Sequence, residues 1–430
     1  MRWRAENTVP NLCPTLPFRI GDHALARQYS FPNNHWDWPV KLTHHHAVRA
    51  GNLIFTGGQV DLDPKGTVRN IGDLETQCRN SMVYMERLFD DLGVDFNDLV
   101  RLVVYFVGDA QDEAFLLDLL AQIIGPTARP AINMIPMPQL CYPDMLTEIE
   151  GVAVRSPNGE IVERQCHTLP DLPPLPAAFS HLVQAGDMIF TSDISARNSD
   201  GTVAHPNNPA AQTQLTMDRL EQVLALSGAG LDDVVKLTTF TTGDETIKGW
   251  ATAAALRADR FTRNSPVVTD LPLAQSPAPG QATKLAATAM LGSEPARHTS
   301  PDGHWTWSQS MPYAHGTCTG DVIHIGGQVA RSETSKVLTP DDMVAQTRTA
   351  MANIAQILAQ YDATLDDVVK VTTFYQGNAS AEALHENLLV RSNSYTPPGP
   401  ATTGIPVPHL ERKGLVIKIE VIAVLDLESP

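Results

Sequence analysis

Lysine and arginine are scarce in this 430-residue chain, 31 against 48 aspartates and glutamates, for a formal charge of −17. Binding to a phosphate backbone or an anionic membrane needs clustered cations, so this balance argues against nucleic acid and membrane as partners. Cysteine is also sparse: Cys13, Cys78, Cys141, Cys166 and Cys318 make an odd count with no CxxC pair. That pattern fits reduced cytoplasmic thiols better than a disulfide framework. No apolar run reaches the roughly 18 residues that a membrane span requires. The opening stretch is charged and broken by prolines, without the apolar segment of a signal peptide. GxGxxG, P-loop, HExxH and GxSxG motifs are all missing, so no cofactor, metal or serine nucleophile is expected. What remains is a soluble cytoplasmic protein, 43% hydrophobic, whose length fits about three domains at roughly 150 residues each.

What the chain does have is a threefold internal repeat. The block AGNLIFTGGQV around Gly51 recurs as AGDMIFTSDIS around Gly186 and TGDVIHIGGQV around Gly320, at intervals of 135 and 134 residues. FNDLVRLVVYF, LDDVVKLTTF and LDDVVKVTTF keep the same register, and so do Gln77, Gln212 and Gln346. Between these anchors lie matching apolar stripes: Met82, Met85, Leu88 and Phe89; Met217, Leu220, Val223 and Leu224; Met351, Ile354, Ile357 and Leu358. Each stripe predicts a helix with one buried face. A β-branched run then predicts a central strand. Shorter helices are expected over Glu113 to Ile124, Thr246 to Phe261 and Ala381 to Ser394, and a Pro-rich loop and a last strand (Leu146 to Val154; Leu415 to Leu425) close the unit.

The expected order is β-β-β-α-β-α-β, an α+β unit with a mixed sheet and two helices on one face. We expect an arm over residues 1–30 and units over 31–160, 161–295 and 296–430, with linkers at Asp171 to Pro176 and Ser293 to Gly303.

These anchors resemble the Rid family of reactive intermediate deaminases, also called YjgF-like, along about nine tenths of the chain. The resemblance implies a fold like that of chorismate mutase and, since single-unit members form trimers with clefts between units, an intrachain pseudo-trimer open to further homo-oligomerisation. It also implies a hydrolase or deaminase acting on a C–N bond of a small carboxylated imine, enamine or related compound. The family's substrate-binding arginine falls at Arg129, with Val268 and Thr402 as its counterparts. The catalytic glutamate falls at Glu148, against Lys284 and Lys418. The cleft tyrosine falls at Tyr313, against His44 and Phe179. The turn Gly57-Gly58-Gln59 lines the cleft and has become Ser192-Asp193-Ile194 in unit two. Since only unit one keeps both arginine and glutamate, one competent cleft is expected.

Blander readings stand beside these. Arg129 has an alternative reading as an ordinary surface or ion-pair arginine, and Glu148 alternates with Glu150 on the last strand, which leaves the alternative that one of the two simply faces solvent. Tyr313 is equally a half-buried aromatic. The run His44-His45-His46 lacks metal-ligand spacing, because neighbours on a strand point to opposite faces. His46, His181 and His315 share one register position, which makes them either cleft donors or structural hydrogen-bonding groups. Trp36/Trp38 and Trp305/Trp307 cover apolar surface or wall a cleft. A non-catalytic ligand-binding or scaffold protein of the same fold is the alternative function.

Overall fold

A computed structural model of the chain describes residues 27–242, 247–273, 278–292, 294–307, 311–377 and 381–425. Most of the expected arm, with Cys13, the start of the helix expected from Thr246, and Ser293 of the second linker lie outside them. Unit one runs β1 (Gln28–Ser30), β2 (Ala47–Ala50), β3 (Leu53–Thr56), α1 (Leu74–Asp91), β4 (Leu99–Val107), α2 (Ala110–Ile124), β5 (Ala131–Met137) and β6 (Thr147–Val154). Unit two runs β7 (Arg164–His167), β8 (Leu182–Ala185), β9 (Met188–Thr191), β10 (Ile194–Ser195), α3 (Pro209–Ala225), β11 (Val234–Thr242), α4 (Ile247–Ala258), β12 (Val267–Leu273) and β13 (Thr283–Met290). Unit three runs β14 (Arg297–Thr299), β15 (Gly316–Thr319), β16 (Val322–Gln328), α5 (Met343–Ala359), β17 (Val368–Gln376), α6 (Glu382–Ser392), β18 (Ala401–Val407) and β19 (Ile417–Val424).

Three mixed sheets of one pattern result, the first in the order β1-β2-β3-β6-β4-β5 with β4 and β5 parallel and the other neighbours antiparallel. Two details correct the expected order. The Pro-rich segment carries a strand in each unit (β5, β12, β18), so two strands follow the second helix. The sheets also begin earlier than expected: β1 lies in the supposed arm and β14 in a supposed linker. These short edge strands are too brief to show a periodic pattern.

Capping and one glutamine fix each long helix. Asp73, Asn208 and Asp342 accept the backbone N–H of Thr76, Ala211 and Ala345, satisfying a donor that a helix start leaves free. Gln77 donates to Asp144 O (2.9 Å) and accepts from Leu146 N (2.8 Å), tying α1 to the turn before β6. Gln212 repeats this with Gly280 O and Ala282 N, and Gln346 with Gly414 O and Val416 N. A buried amide with both ends satisfied avoids the cost of an unmade bond, which accounts for the repeated glutamine.

The sheet faces divide by the strand period of two. In β4, Leu102, Val104 and Phe106 pack with Met82, Met85, Leu88 and Phe89 of α1 and with Leu116 and Leu120 of α2. Arg101, Val103 and Tyr105 point the other way, into a cavity that Lys236 and Phe240 of β11 and Lys370 and Phe374 of β17 also line. There Lys370 pairs with Glu150 (2.7 Å) and Lys236 with Glu420 (2.5 Å). At the position of these carboxylates unit two has Ala286, and Arg101 bonds instead to Asn133 Oδ1 (2.8 Å).

Each unit touches both others through one repeated contact. Ser180 N donates to Pro130 O (3.1 Å), Ala314 N to Pro266 O (3.3 Å) and His45 N to Pro400 O (3.2 Å). The accompanying bridges are Ala131 with Ser180, Val267 with Ala314, and His45 with Ala401.

Candidate functional site

Each of these contacts sets the start of the penultimate strand of one unit (β5, β12 or β18) beside the residues that lead into the second strand of another (β8, β15 or β2). A side chain of that other unit's last strand reaches the penultimate strand, and the three contacts differ in charge. Glu148, Lys284 and Lys418 are equivalent, since they pair with Tyr105, Phe240 and Phe374 on the neighbouring strand. Where unit one meets unit two, Lys284 donates to Met134 O and pairs with Asp193 (2.9 Å). Where unit two meets unit three, Lys418 pairs with Glu411 (2.9 Å) and donates to Asp270 O (2.5 Å). Arg257 of α4 pairs with the Asp270 carboxylate (2.5 Å). Both contacts are thus neutralised internally.

The contact between units one and three is not. Glu148 is 4% exposed and lines a small cavity with Trp36, Trp38, Gly58 and Cys141 of unit one and Leu384, Leu388, Thr402 and Gly404 of unit three. Cys141 Sγ donates to its Oε2 at 3.7 Å, and the Gly404 N–H also hydrogen-bonds to it. Burial, and then the charge of Glu150, push its carboxyl up to about 8 against the pull of Lys370. Glu150 is less fully buried, and although burial raises its carboxyl, the charge and hydrogen bond of Lys370, the Thr403 hydroxyl and Arg101 together hold it below the usual range. Both glutamates therefore face inward, and only Glu150 has a cation bonded to it. Gly58 is what admits Glu148, for a Cβ there would lie 2.0 Å from Oε1. Gly57 lets the strand approach unit three, since its Cβ would lie 2.4 Å from Thr402 O.

Arg129 is not part of this cavity. Ala131 pairs with Arg101, while Glu148 pairs with Tyr105, which sits opposite Ile135. Four residues of β4 from Arg101 to Tyr105 set these two levels about 13 Å apart, and Arg129 lies before β5 on the far side, where its loop meets unit two, so it does not line the cavity that holds Glu148. Parallel pairing of Arg101 with Ala131, Lys236 with Val267 and Lys370 with Ala401 also corrects its counterparts. They are Ser265 and Gly399 rather than Val268 and Thr402. Arg129, half-buried with φ 51°, ends the loop that meets unit two.

Tyr313 lies at the contact of units two and three, beside Arg257 and packed on Phe261 and Trp307, with burial pushing its phenol up to about 12. His44 does reach the contact of units one and three, where Nδ1 bonds to Pro400 O (3.3 Å) and burial, aided by Arg391, holds it well below the ordinary histidine value. His46 bonds through Nε2 to Trp36 O (2.9 Å) and stacks on Trp38 at 4.7 Å. His315 repeats this with Trp305 O and Trp307, and His181 bonds to Pro173 O. These three histidines make structural bonds inside their own units.

One charged residue was not anticipated. Arg391 of α6 is fully buried and bonds to Asn387 Oδ1 and Thr402 Oγ1 (2.8 Å), two neutral acceptors. Burial lowers it to about 10 despite neighbouring Tyr395 and Tyr375. Its counterpart Arg257, 134 residues earlier, is the signal that could have found it.

The chain shares the fold of a chorismatase solved at 1.08 Å resolution, with a TM-score of 0.53 at 13% identity over 76% of this chain and 93% of that one. The endoribonuclease L-PSP family model matches residues 40–155, 172–280 and 307–425. This chain is thus a three-copy member of that family, which is the Rid family. A RutC family protein of Pyrococcus horikoshii is 31% identical over 111 residues, 25% of this chain and 84% of the relative. The 2-iminobutanoate/2-iminopropanoate deaminase of Salmonella typhimurium is 31% identical over 117 residues, again 25% and 84%. Among the described residues no helix is long and apolar enough to cross a membrane.

Proposed function

We propose that this protein is a cytoplasmic deaminase that hydrolyses the C=N bond of a small carboxylated imine in the cavity between units one and three. The three units close into a pseudo-trimer with two ion-paired clefts and one working cleft. The reading is carried by Glu148, a buried carboxyl with no cation bonded to it and a pKa near neutrality, which suits a group that takes and returns a proton. Ionised Glu148 accepts a proton from water as its oxygen bonds to the imine carbon. The same carboxyl returns that proton to nitrogen, giving a carbinolamine; it then takes the carbinolamine's hydroxyl proton and passes it to nitrogen, so that the C–N bond breaks as the C=O forms and ammonia leaves a keto acid. Trp36, Trp38, Leu384 and Leu388 exclude bulk water from this exchange.

The deaminase relative supports the choice of imine. The test is release of 2-oxobutanoate from 2-iminobutanoate generated in situ, compared with spontaneous hydrolysis. Glu148→Gln should lower the enzymatic rate by about a hundredfold or more. Wild-type protein that gives no excess over the spontaneous rate would leave the alternative, a ligand-binding protein, which the two ion-paired clefts favour.

A further inference from the structure

The unexplained group beside this cavity is a cation with neutral partners. A guanidinium taken wholly out of water is costly unless an anion faces it, and unit two obeys that rule with Arg257 and Asp270 at 2.5 Å. Unit three has Gly404 at the position of Asp270. Arg391 there keeps only Asn387 and Thr402 as acceptors.

Around it lie three buried polar atoms without hydrogen-bond partners: Tyr375 Oη, Tyr395 Oη and His44 Nε2. Because Pro400 O can only accept, His44 carries its proton on Nδ1 and presents Nε2 as an acceptor. The cluster adjoins the cavity, for Thr402 both lines the cavity and accepts from Arg391. Tyr375 feels the charges of Glu148 and Arg391 alike.

We infer that Arg391, with the hydroxyls of Tyr375 and Tyr395, binds the carboxylate of the ligand at the Glu148 cavity. The ligand class is a compact monocarboxylate whose apolar part lies toward Trp38 and Leu388, with an N–H or O–H to meet His44 Nε2. The arginine thus enters from α6 of unit three, while the loop position where unit one has Arg129 is occupied by Gly399, packed on Thr43. The inference rests on the proposed site but not on its turnover.

The experiment measures calorimetric binding of 2-hydroxybutanoate, a stable acid whose hydroxyl can meet His44 Nε2, to the full chain. Tyr375→Phe and Tyr395→Phe remove hydroxyls that bond to nothing in the protein, so each should weaken binding about tenfold without lowering the thermal midpoint. Arg391→Met should abolish binding, and Arg129→Ala should leave it unchanged. No binding to wild type at about 10 mM, wild-type affinity in both Tyr→Phe variants, or loss on Arg129→Ala would each overturn the inference. Binding that follows these variants without imine turnover sinks the deaminase reading alone. Turnover with binding indifferent to them sinks this inference alone.

Discussion

Lys284 and Asp193 form an ion pair at 2.9 Å, and they stand at the two positions that hold Glu148 and Gly58 in unit one. A two-residue exchange thus separates a neutralised cleft from one with an available carboxyl. Glycine at 58 leaves room that the Glu148 side chain enters, whereas Asp193 fills the same room with a carboxylate and captures the lysine. In Asp193→Asn the Lys284 side chain, 4% exposed, keeps its buried charge without the carboxylate that pairs with it. Breaking a buried pair by removing one partner costs about 3 kcal/mol or more. The denaturation midpoint should fall accordingly, while imine turnover per folded molecule stays at the wild-type level. A drop in turnover with unchanged stability would place the working cleft between units one and two instead.

Glycine 58 itself gives a second test. A methyl group there cannot coexist with the Glu148 carboxylate, whose Oε1 and Cδ would lie 2.0 and 2.7 Å away. Gly58→Ala should therefore rotate Glu148 out of place and lower kcat by about the hundredfold expected for losing the acid–base group. Far-ultraviolet circular dichroism should remain that of wild type, because Gly58 has no positive φ to satisfy.

Much of this was legible in the sequence, and the failures have physical causes. The helices were found because Met82, Met85, Leu88 and Phe89 and their counterparts follow the helical period and are all buried. Glu148 stands out in the sequence because its strand carries the family pattern, and its burial against unit three comes from the tertiary structure. Arg129 lies away from Glu148 although the repeat pairs them, because a tandem repeat tells which strand a residue is on, but not which neighbouring unit that strand faces. The counterparts of Arg129 slipped by three residues because β5, β12 and β18 lie in Pro-rich segments whose register is fixed only by parallel pairing in space. Arg391 escaped because a helix arginine ordinarily snorkels to solvent, and its burial depends on Thr402 and on the approach of His44 from unit one.

The pH dependence of stability follows from the raised carboxyl. A carboxyl whose folded pKa lies above its unfolded value favours the fold while protonated. This contribution is whole below the unfolded value of about 4.5 and is lost as pH rises toward about 8. Glu150, Lys370, Cys141, Tyr105, Tyr142 and Tyr375 are the ionisable groups around Glu148, and of these Glu150 and Lys370 carry opposite charges. Wild type should therefore lose thermal stability relative to Glu148→Gln between pH 5 and pH 8.5, whereas imine turnover should rise over the upper part of that range as the base ionises. A constant difference between the two melting curves would show that Glu148 titrates as an ordinary surface glutamate.

The central cavity offers a test independent of the cleft. Arg101, Lys236 and Lys370 occupy equivalent positions around one cavity; the two lysines pair with carboxylates, whereas Arg101 bonds to Asn133 and Ala286 stands where a third carboxylate would be. Glutamate at 286 would sit on β13 opposite Thr238, as Glu150 sits opposite Val103 and Glu420 opposite Thr372. In Ala286→Glu the new carboxylate gains Arg101, so desolvation is offset by pairing, as it is at the other two positions. In the double variant Ala286→Glu/Arg101→Met the same carboxylate is buried beside an apolar side chain. The coupling between the two sites should be about 2 kcal/mol in a double-mutant cycle on the denaturation midpoint, with the double variant less stable than the sum of the single ones. Additive effects would mean that Arg101 does not reach the third position, and that the equivalence of the three strands stops at the backbone.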